Sequence, residues 1–302
     1  MSCAGLKPCA TTYERQAFAA ACAGLKPCAT YRRQAVEAGF AGLRPCATDS
    51  RVQGLERNLL RQVQGAASRQ DSERSAADLL AEADRRYAAR QQLDAARRAA
   101  DLYAAALARD PENFEAAWKL ARAGYWLGGH VAGEAIRAEC ERGMAGARAA
   151  IRLAPQRPEG HFWLAANMGR LAESQGLRAG LRYRGPIREA LEQVLAIDAG
   201  FQQGSADRAL GRWYFRVPRL FGGSRRKAEA HLRQALTYNP HSTATHFFLA
   251  ELYLAEDRHA EARAALQAVL EAPVDPAWVP EDREFKERAR GLVVRLQSEN
   301  KN

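Results

Sequence analysis

Residues 93–113 read LDAARRAADLYAAALARDPEN, and the fold turns on this stretch. Ala99, Tyr103 and Ala106 stand at steps of four and three, so they share one side of a helix, and Pro111 follows five residues after the last of them. A small residue lets the second helix of a hairpin approach the first, and an aromatic ring or a leucine fills the gap beside it. A proline past the last turn stops the helix and redirects the chain. The frame returns before Pro240 as Ala228, Leu232 and Ala235, and before Pro155 as Gly143, Ala147 and Ala150. It returns once more as Ile187, Leu191 and Val194, with AIDAG in place of the proline turn.

A second frame follows each turn: a bulky residue, then a leucine and a small residue three and four positions on. Phe114-Ala117-Leu120-Ala121, His161-Leu164-Ala165-Met168, Leu210-Gly211 and His246-Leu249-Ala250-Tyr253 carry it. This alternation has the spacing of the tetratricopeptide repeat (TPR), a helix–turn–helix unit of about 34 residues. The pattern predicts an all-α chain: a TPR-like right-handed α-solenoid of about five helical hairpins plus a C-terminal capping helix. Two units run long, by about ten and nine residues, at WLGGHVAGEAIRAE and GRLAESQGLRAGLRY. These imply extended helices or widened loops in the middle of the array. The tail EDREFKERARGLVVRLQ reads as the capping helix, with Phe285, Ala289, Leu292 and Leu296 as its buried stripe.

The 302 residues are 47% hydrophobic and 26% charged, which is enough apolar material for a large core. No apolar run approaches the ~18 residues that a membrane-spanning helix requires, so no transmembrane segment is expected. A formal charge of +10 would attract polyanions. Acids are nonetheless interspersed with the bases along every helix, and the cluster Arg225-Arg226-Lys227 is short and starts a helix, so nucleic acid is not expected as a partner.

Five of the six cysteines lie in the first fifty residues, inside near-identical copies. Residues 3–11 and 22–30 both read CAGLKPCAT, and residues 41–48 read AGLRPCAT. The Cys-x5-Cys spacing, without histidines, does not suit zinc, and a disulfide framework would need an export signal that Met1–Ala10 does not show. Near-identity at surface-type positions suits recently duplicated DNA better than a folded array. The chain therefore divides into a repetitive extension over 1–70, expected to be poorly ordered, and a TPR solenoid domain over 72–298. Cys140 reads as a small filler.

The stretches FEAAWKLARAGYWLG, RPEGHFWLAANMGRLAESQG, GPIREALEQVLAID, ALGRWYFRVPRLFGGSRRKAEAHLRQAL and PAWVPEDREFKERAR resemble the TPR proteins of tripartite TRAP transport systems, the TatT-component family. More distantly, they resemble the TPR region of the regulator of microtubule dynamics proteins. The resemblance spans roughly residues 78–296. It implies a bacterial, periplasmic, lipid-anchored protein that forms homo-oligomers, contacts a solute-binding protein and passes a small apolar ligand. No signal peptide is visible, so the chain as it stands reads as cytoplasmic, and as periplasmic if the resemblance extends to a displaced N-terminus.

Chemistry is not indicated. Neither a phosphate-cradling Gly-x4-Gly-Lys nor a His-Glu-x-x-His occurs, and Gly222-Gly223-Ser224 lacks the surroundings of a nucleophile elbow. Those glycines read as a sharp turn. Glu281, Asp282, Glu284 and Glu287 mix with Arg283, Lys286 and Arg288 as a solvated helix start with short-range ion pairs. No enzyme, cofactor or metal site is expected.

Stacked hairpins leave a face lined by first helices. Successive residues turn by about 100° around a helix, so Phe162 with Trp163, or Trp213 with Tyr214 and Phe215, are not expected to be core together. The candidate ligand or partner groove is therefore Trp118, Tyr125, Trp126, His161, Phe162, Trp163, Asn167, Arg212, Trp213, Tyr214, Phe215 and His246. A small apolar ligand, or a partner protein such as a solute-binding protein, would lie against those rings. A plain scaffold would instead hold carboxylates of a peptide tail on Lys119, Arg122, Arg170 and Arg212. A chain beginning at Asp71 is expected to melt at the same temperature as the full chain; a fall of several degrees by calorimetry would contradict this division.

Overall fold

The computed structural model describes residues 74–299, and among them the secondary structure is helical throughout. The CAGLKPCAT copies, with their five cysteines and the expectation of poor order, lie outside the described residues. The first hairpin pairs α1 (Ala76–Ala88) with α2 (Leu93–Arg109). Then come α3 (Phe114–His130) with α4 (Glu134–Leu153), and α5 (Pro158–Gln175) with α6 (Leu177–Ile197). Next are α7 (Phe201–Arg216) with α8 (Arg225–Tyr238), and α9 (Thr243–Leu254) with α10 (His259–Glu271). A last helix, α11 (Val279–Glu299), closes the series. Five hairpins and a cap form the TPR-like α-solenoid that the two frames predict.

Local signals start the helices where they should. The side chains of Asn113, Ser224 and Ser242 accept from the backbone N–H three residues on, capping α3, α8 and α9. Pro158 occupies the first turn of α5, where its missing N–H costs nothing. His161 and His246 repeat one device: each places Nε2 against the carbonyl of the turn proline six residues back, Pro155 at 2.9 Å and Pro240 at 2.8 Å. At the AIDAG turn, Gln202, Gln203 and Gly204 instead take positive φ of 44°, 59° and 74° before α7 proper begins.

The frame residues are the core. Ala99, Tyr103 and Ala106 of α2, Ala147 and Ala150 of α4, Leu191 and Val194 of α6, and Ala228, Leu232 and Ala235 of α8 are essentially without exposure. Burying a leucine-sized side chain contributes about 1.5–3 kcal/mol, and the array supplies one such site per helix. The long units are accommodated as longer helices: α4 and α6 have 20 and 21 residues, against 13 for α10.

The α3–α4 pair packs backbone against backbone. A Cβ added to Gly124 of α3 would lie 2.7 Å from Cα of Gly143 in α4, and one added to Gly128 would lie 2.6 Å from Sγ of Cys140. Asn167 of α5 fills the same junction, donating Nδ2–H to the carbonyls of Ala121 (2.9 Å) and Trp163 (2.7 Å). Cys140 is fully buried, and burial pushes its thiol up to about 11, so it is inert packing material.

The last helix does more than cap. Ala289 and Leu296 are buried against the array as expected. Its acidic start is not a solvated face of short-range pairs, however. Glu281 receives a bidentate contact from Arg90 (3.0 and 2.6 Å), which lies between α1 and α2. Glu284 meets His130 at the end of α3 (2.6 Å). Asp282 accepts from Thr243 Oγ1 (2.6 Å) and from the backbone of Asp275 (2.8 Å). Only Glu287 pairs locally, with Arg290. Bulk on α9 and α10 seats the helix, Asp282 ties its start to α9, and Glu281 and Glu284 turn to the early hairpins.

Gly143→Ala is expected to cost about 1–3 kcal/mol by overpacking the junction. Gly169→Ala, on α5 with nothing within 4 Å of the added methyl, should instead gain about 0.5–1 kcal/mol from helix propensity. Urea titrations of the two variants check both signs.

Candidate functional site

First helices present a half-buried row at spacings of four and three. On α3 the row is Trp118, Arg122 and Tyr125; on α7 it is Arg208, Arg212 and Phe215. Between them α5 contributes Arg170 and Glu173, and beyond them α9 contributes Phe248 and Glu251. The rows are tied across helices. Arg212 bridges Glu173 (3.0 Å) and Glu251 (2.9 Å), and Arg288 of α11 reaches Glu251 at 3.7 Å. Arginine planes lie over rings along this face: Arg122 on Trp118 (4.9 Å), Arg170 on Tyr125 (4.9 Å) and Arg212 on Phe248 (4.5 Å).

The charge on this inner face is one-sided, with Arg122, Arg170, Arg208, Arg212 and Arg288 against Glu173 and Glu251. Burial acts against the Glu173 carboxylate, yet Arg212, Arg170 and Arg216 hold its pKa below the ordinary range. Arg212 keeps its charge because the two glutamates more than offset its burial. Arg208 has no such partner: it forms no hydrogen bond or ion pair with the described residues and senses only Tyr125 and Asp282 at longer range. Burial pulls its pKa down to about 10. The Nε atoms of Arg122 and Arg170 and the indole nitrogen of Trp118 are also buried without an acceptor. The unmet capacity on this face thus consists of donors, most of them cationic.

The predicted groove residues divide. Trp118, Tyr125, Arg212 and Phe215 lie in the half-buried rows, together with Arg122 and Arg170 of the peptide-holding set; Lys119 points to Asp84 of α1 (2.9 Å). Phe162, Trp163, Trp213 and Tyr214 are buried instead, at 9%, 3%, 7% and 8% exposure. A helix with one neighbour has one packing side, whereas a helix within an array has neighbours before and after it. Trp163 leans on Tyr125 of the preceding hairpin (5.6 Å) while Phe162 meets Phe201 of the next (5.7 Å). Trp213 donates its indole N–H to the Arg184 carbonyl of α6 (3.0 Å), and Tyr214 stacks on His231 of α8 (5.3 Å). Trp126 turns to the carbonyl of Arg90 (3.0 Å) and stacks on His130. Asn167 is sealed in the α3–α5 junction, and His161 and His246 serve the turns. Sequence reasoning missed Arg208, Glu251 and Arg288; Arg208 was findable, standing four residues before Arg212 on the same first helix.

This architecture is that of the tetratricopeptide-type helical-repeat proteins. A family model described as tetratricopeptide repeat matches residues 223–279, and the model of the regulator of microtubule dynamics proteins 1–3 matches residues 79–225. Among solved structures, the chain is similar to TTC0263, a thermophilic TPR protein of Thermus thermophilus. The TM-score is 0.55 at 22% identity, over 73% of this chain and all of that one. No curated protein matches.

At the edge of this face, both ring nitrogens of His130 meet oxygen: Nδ1 the Trp126 carbonyl (2.7 Å) and Nε2 the Glu284 carboxylate (2.6 Å). Only the imidazolium donates from both. Burial disfavours that charge, but the two hydrogen bonds prevail and the pKa is raised. The contact therefore stabilises fully below the ordinary histidine value of about 6.5 and is lost as pH rises through the elevated one. The melting-temperature gap between wild type and Glu284→Gln is expected to be wide at about pH 6 and to narrow by about pH 9, as read by scanning fluorimetry.

Proposed function

We propose that this protein is a non-enzymatic binding module that takes an acidic segment of a partner protein along its inner face. The observation that carries this is the row of five arginines facing two glutamates, with Arg208 half-buried and unmatched. An anionic segment would supply the missing acceptors, and the arginine-covered rings would flank its apolar side chains. The molecule supplies an internal example of such a contact, since the acidic start of α11 rests on Arg90 and His130. The helical-repeat fold supports a protein partner over a chemical reaction.

The TatT resemblance gives a narrower form of this proposal, with a solute-binding protein of a TRAP-type transport system as the partner. A small apolar ligand would need an uncharged lining, and the half-buried rows are dominated by guanidinium groups. An acidic segment is therefore the better fit.

Arg208→Met separates binding from folding. Removing a desolvated charge with no partner should raise stability by about 1 kcal/mol. The same change should weaken a fluorescein-labelled Glu/Asp-rich peptide about tenfold, the loss of one charge-assisted hydrogen bond. Anisotropy titrations that show no peptide binding to wild type, or unchanged binding by the variant, would refute the proposal.

A further inference from the structure

Two basic stretches far apart in sequence meet at one corner of the fold. Residues 178–188 hold Arg178, Arg182, Arg184 and Arg188; residues 216–227 hold Arg216, Arg219, Arg225, Arg226 and Lys227. Neither stretch contains a carboxylate, and all nine cations are exposed. Trp213 joins them: its indole N–H reaches the Arg184 carbonyl (3.0 Å), Arg188 lies 5.9 Å from its ring, and Arg184 lies 5.9 Å from the ring of Phe221. Among the described residues, only Arg188 of the nine forms an ion pair, with Glu192 at 3.4 Å.

An apolar tip projects from the middle of this cluster. Leu220 is 86% exposed and Phe221 37%. The loop that carries them is tightly held. The N–H groups of Phe221 and Gly223 both donate to the Pro218 carbonyl (2.8 and 3.2 Å), and Ser224 N–H donates to the Tyr214 carbonyl (2.9 Å). Gly222 takes φ of 104°, and a Cβ on Gly223 would come within 1.7 Å of the Val217 carbonyl oxygen, so both positions require glycine. The chain holds a leucine in water on a rigid turn, with Arg219 before it in the chain and Arg184 of α6 beside Phe221.

We propose that this corner is a docking surface for an anionic lipid bilayer, with Leu220 and Phe221 entering the boundary of headgroups and acyl chains while the surrounding arginines meet acidic headgroups. Either part alone gives weak attachment. Two side chains bury little apolar area, and exposed cations alone are screened by salt; together they form the two-signal arrangement that holds proteins on membranes. The exposed aliphatic tip favours a bilayer over a nucleic acid, whose phosphate backbone would satisfy the arginines and leave Leu220 without a partner. The site adjoins the inner face at Arg216, which acts on Glu173, but its apolar tip and its other eight cations do not depend on what that face binds.

The test is co-sedimentation of the full chain with phosphatidylcholine vesicles, with and without phosphatidylserine. Wild type should sediment only with phosphatidylserine present, and less as salt rises. Leu220→Ser with Phe221→Ser should weaken binding about a hundredfold, the worth of burying two such side chains at about tenfold each, at unchanged net charge and melting temperature. Arg219→Glu with Arg226→Glu should abolish it, whereas Arg208→Met should leave it intact. Failure to sediment with phosphatidylserine vesicles would overturn the proposal. So would full binding by the Leu220/Phe221 variant, or capture of a single-stranded oligonucleotide without capture of vesicles.

Discussion

Two helix backbones come into contact where Gly124 faces Gly143, and much of the molecule depends on that approach. With α3 and α4 so close, Asn167 of the next hairpin can reach a carbonyl of α3 across the junction. A buried amide that bridges hairpins fixes their relative placement in a way that apolar packing alone does not, since packing tolerates sliding while a short hydrogen bond does not. The small residues of the other hairpins act in the same sense: Gly211 lies against Leu232, and Gly160 against Ile151. No hairpin of this length could bury its apolar stripe alone, so the stacking is a requirement of stability as well as a geometry.

From that stacking follows a face whose residues are excused from packing, and the protein fills it with guanidinium groups. Holding five of them together costs electrostatic energy, which the two glutamates only partly relieve. Arg288 shows this directly: burial lowers its pKa, and the neighbouring Arg212 and Arg170 add to the effect despite Glu251. A face selected for stability alone would carry more carboxylates or fewer arginines, and this tension is what a binding surface is expected to show.

Much of the fold was legible in the sequence because the repeat frames record helix contacts that recur. Ala228, Leu232 and Ala235 are buried for the same reason as Ala99, Tyr103 and Ala106, and the turn prolines mark the same joints. The inner face was legible only in part. Trp163 and Trp213 look superfluous when each helix is granted one neighbour and prove to be core when it has two. The reach of Glu281 to Arg90 spans 191 positions, and no local spacing reports it. The basic corner was hidden for a related reason: Arg225-Arg226-Lys227 looks minor until α6 brings four more arginines beside it.

The contacts of Arg90 and His130 with α11 carry a consequence for how such a chain can evolve. An open row of repeats can gain or lose a unit at small cost, because each unit touches only its neighbours. Here the two ends of the row hold each other, so one added or deleted hairpin would carry Glu281 and Glu284 away from their cations. A change in repeat number would break these contacts, whereas a change in helix length would not, and helix length already differs between units of this chain.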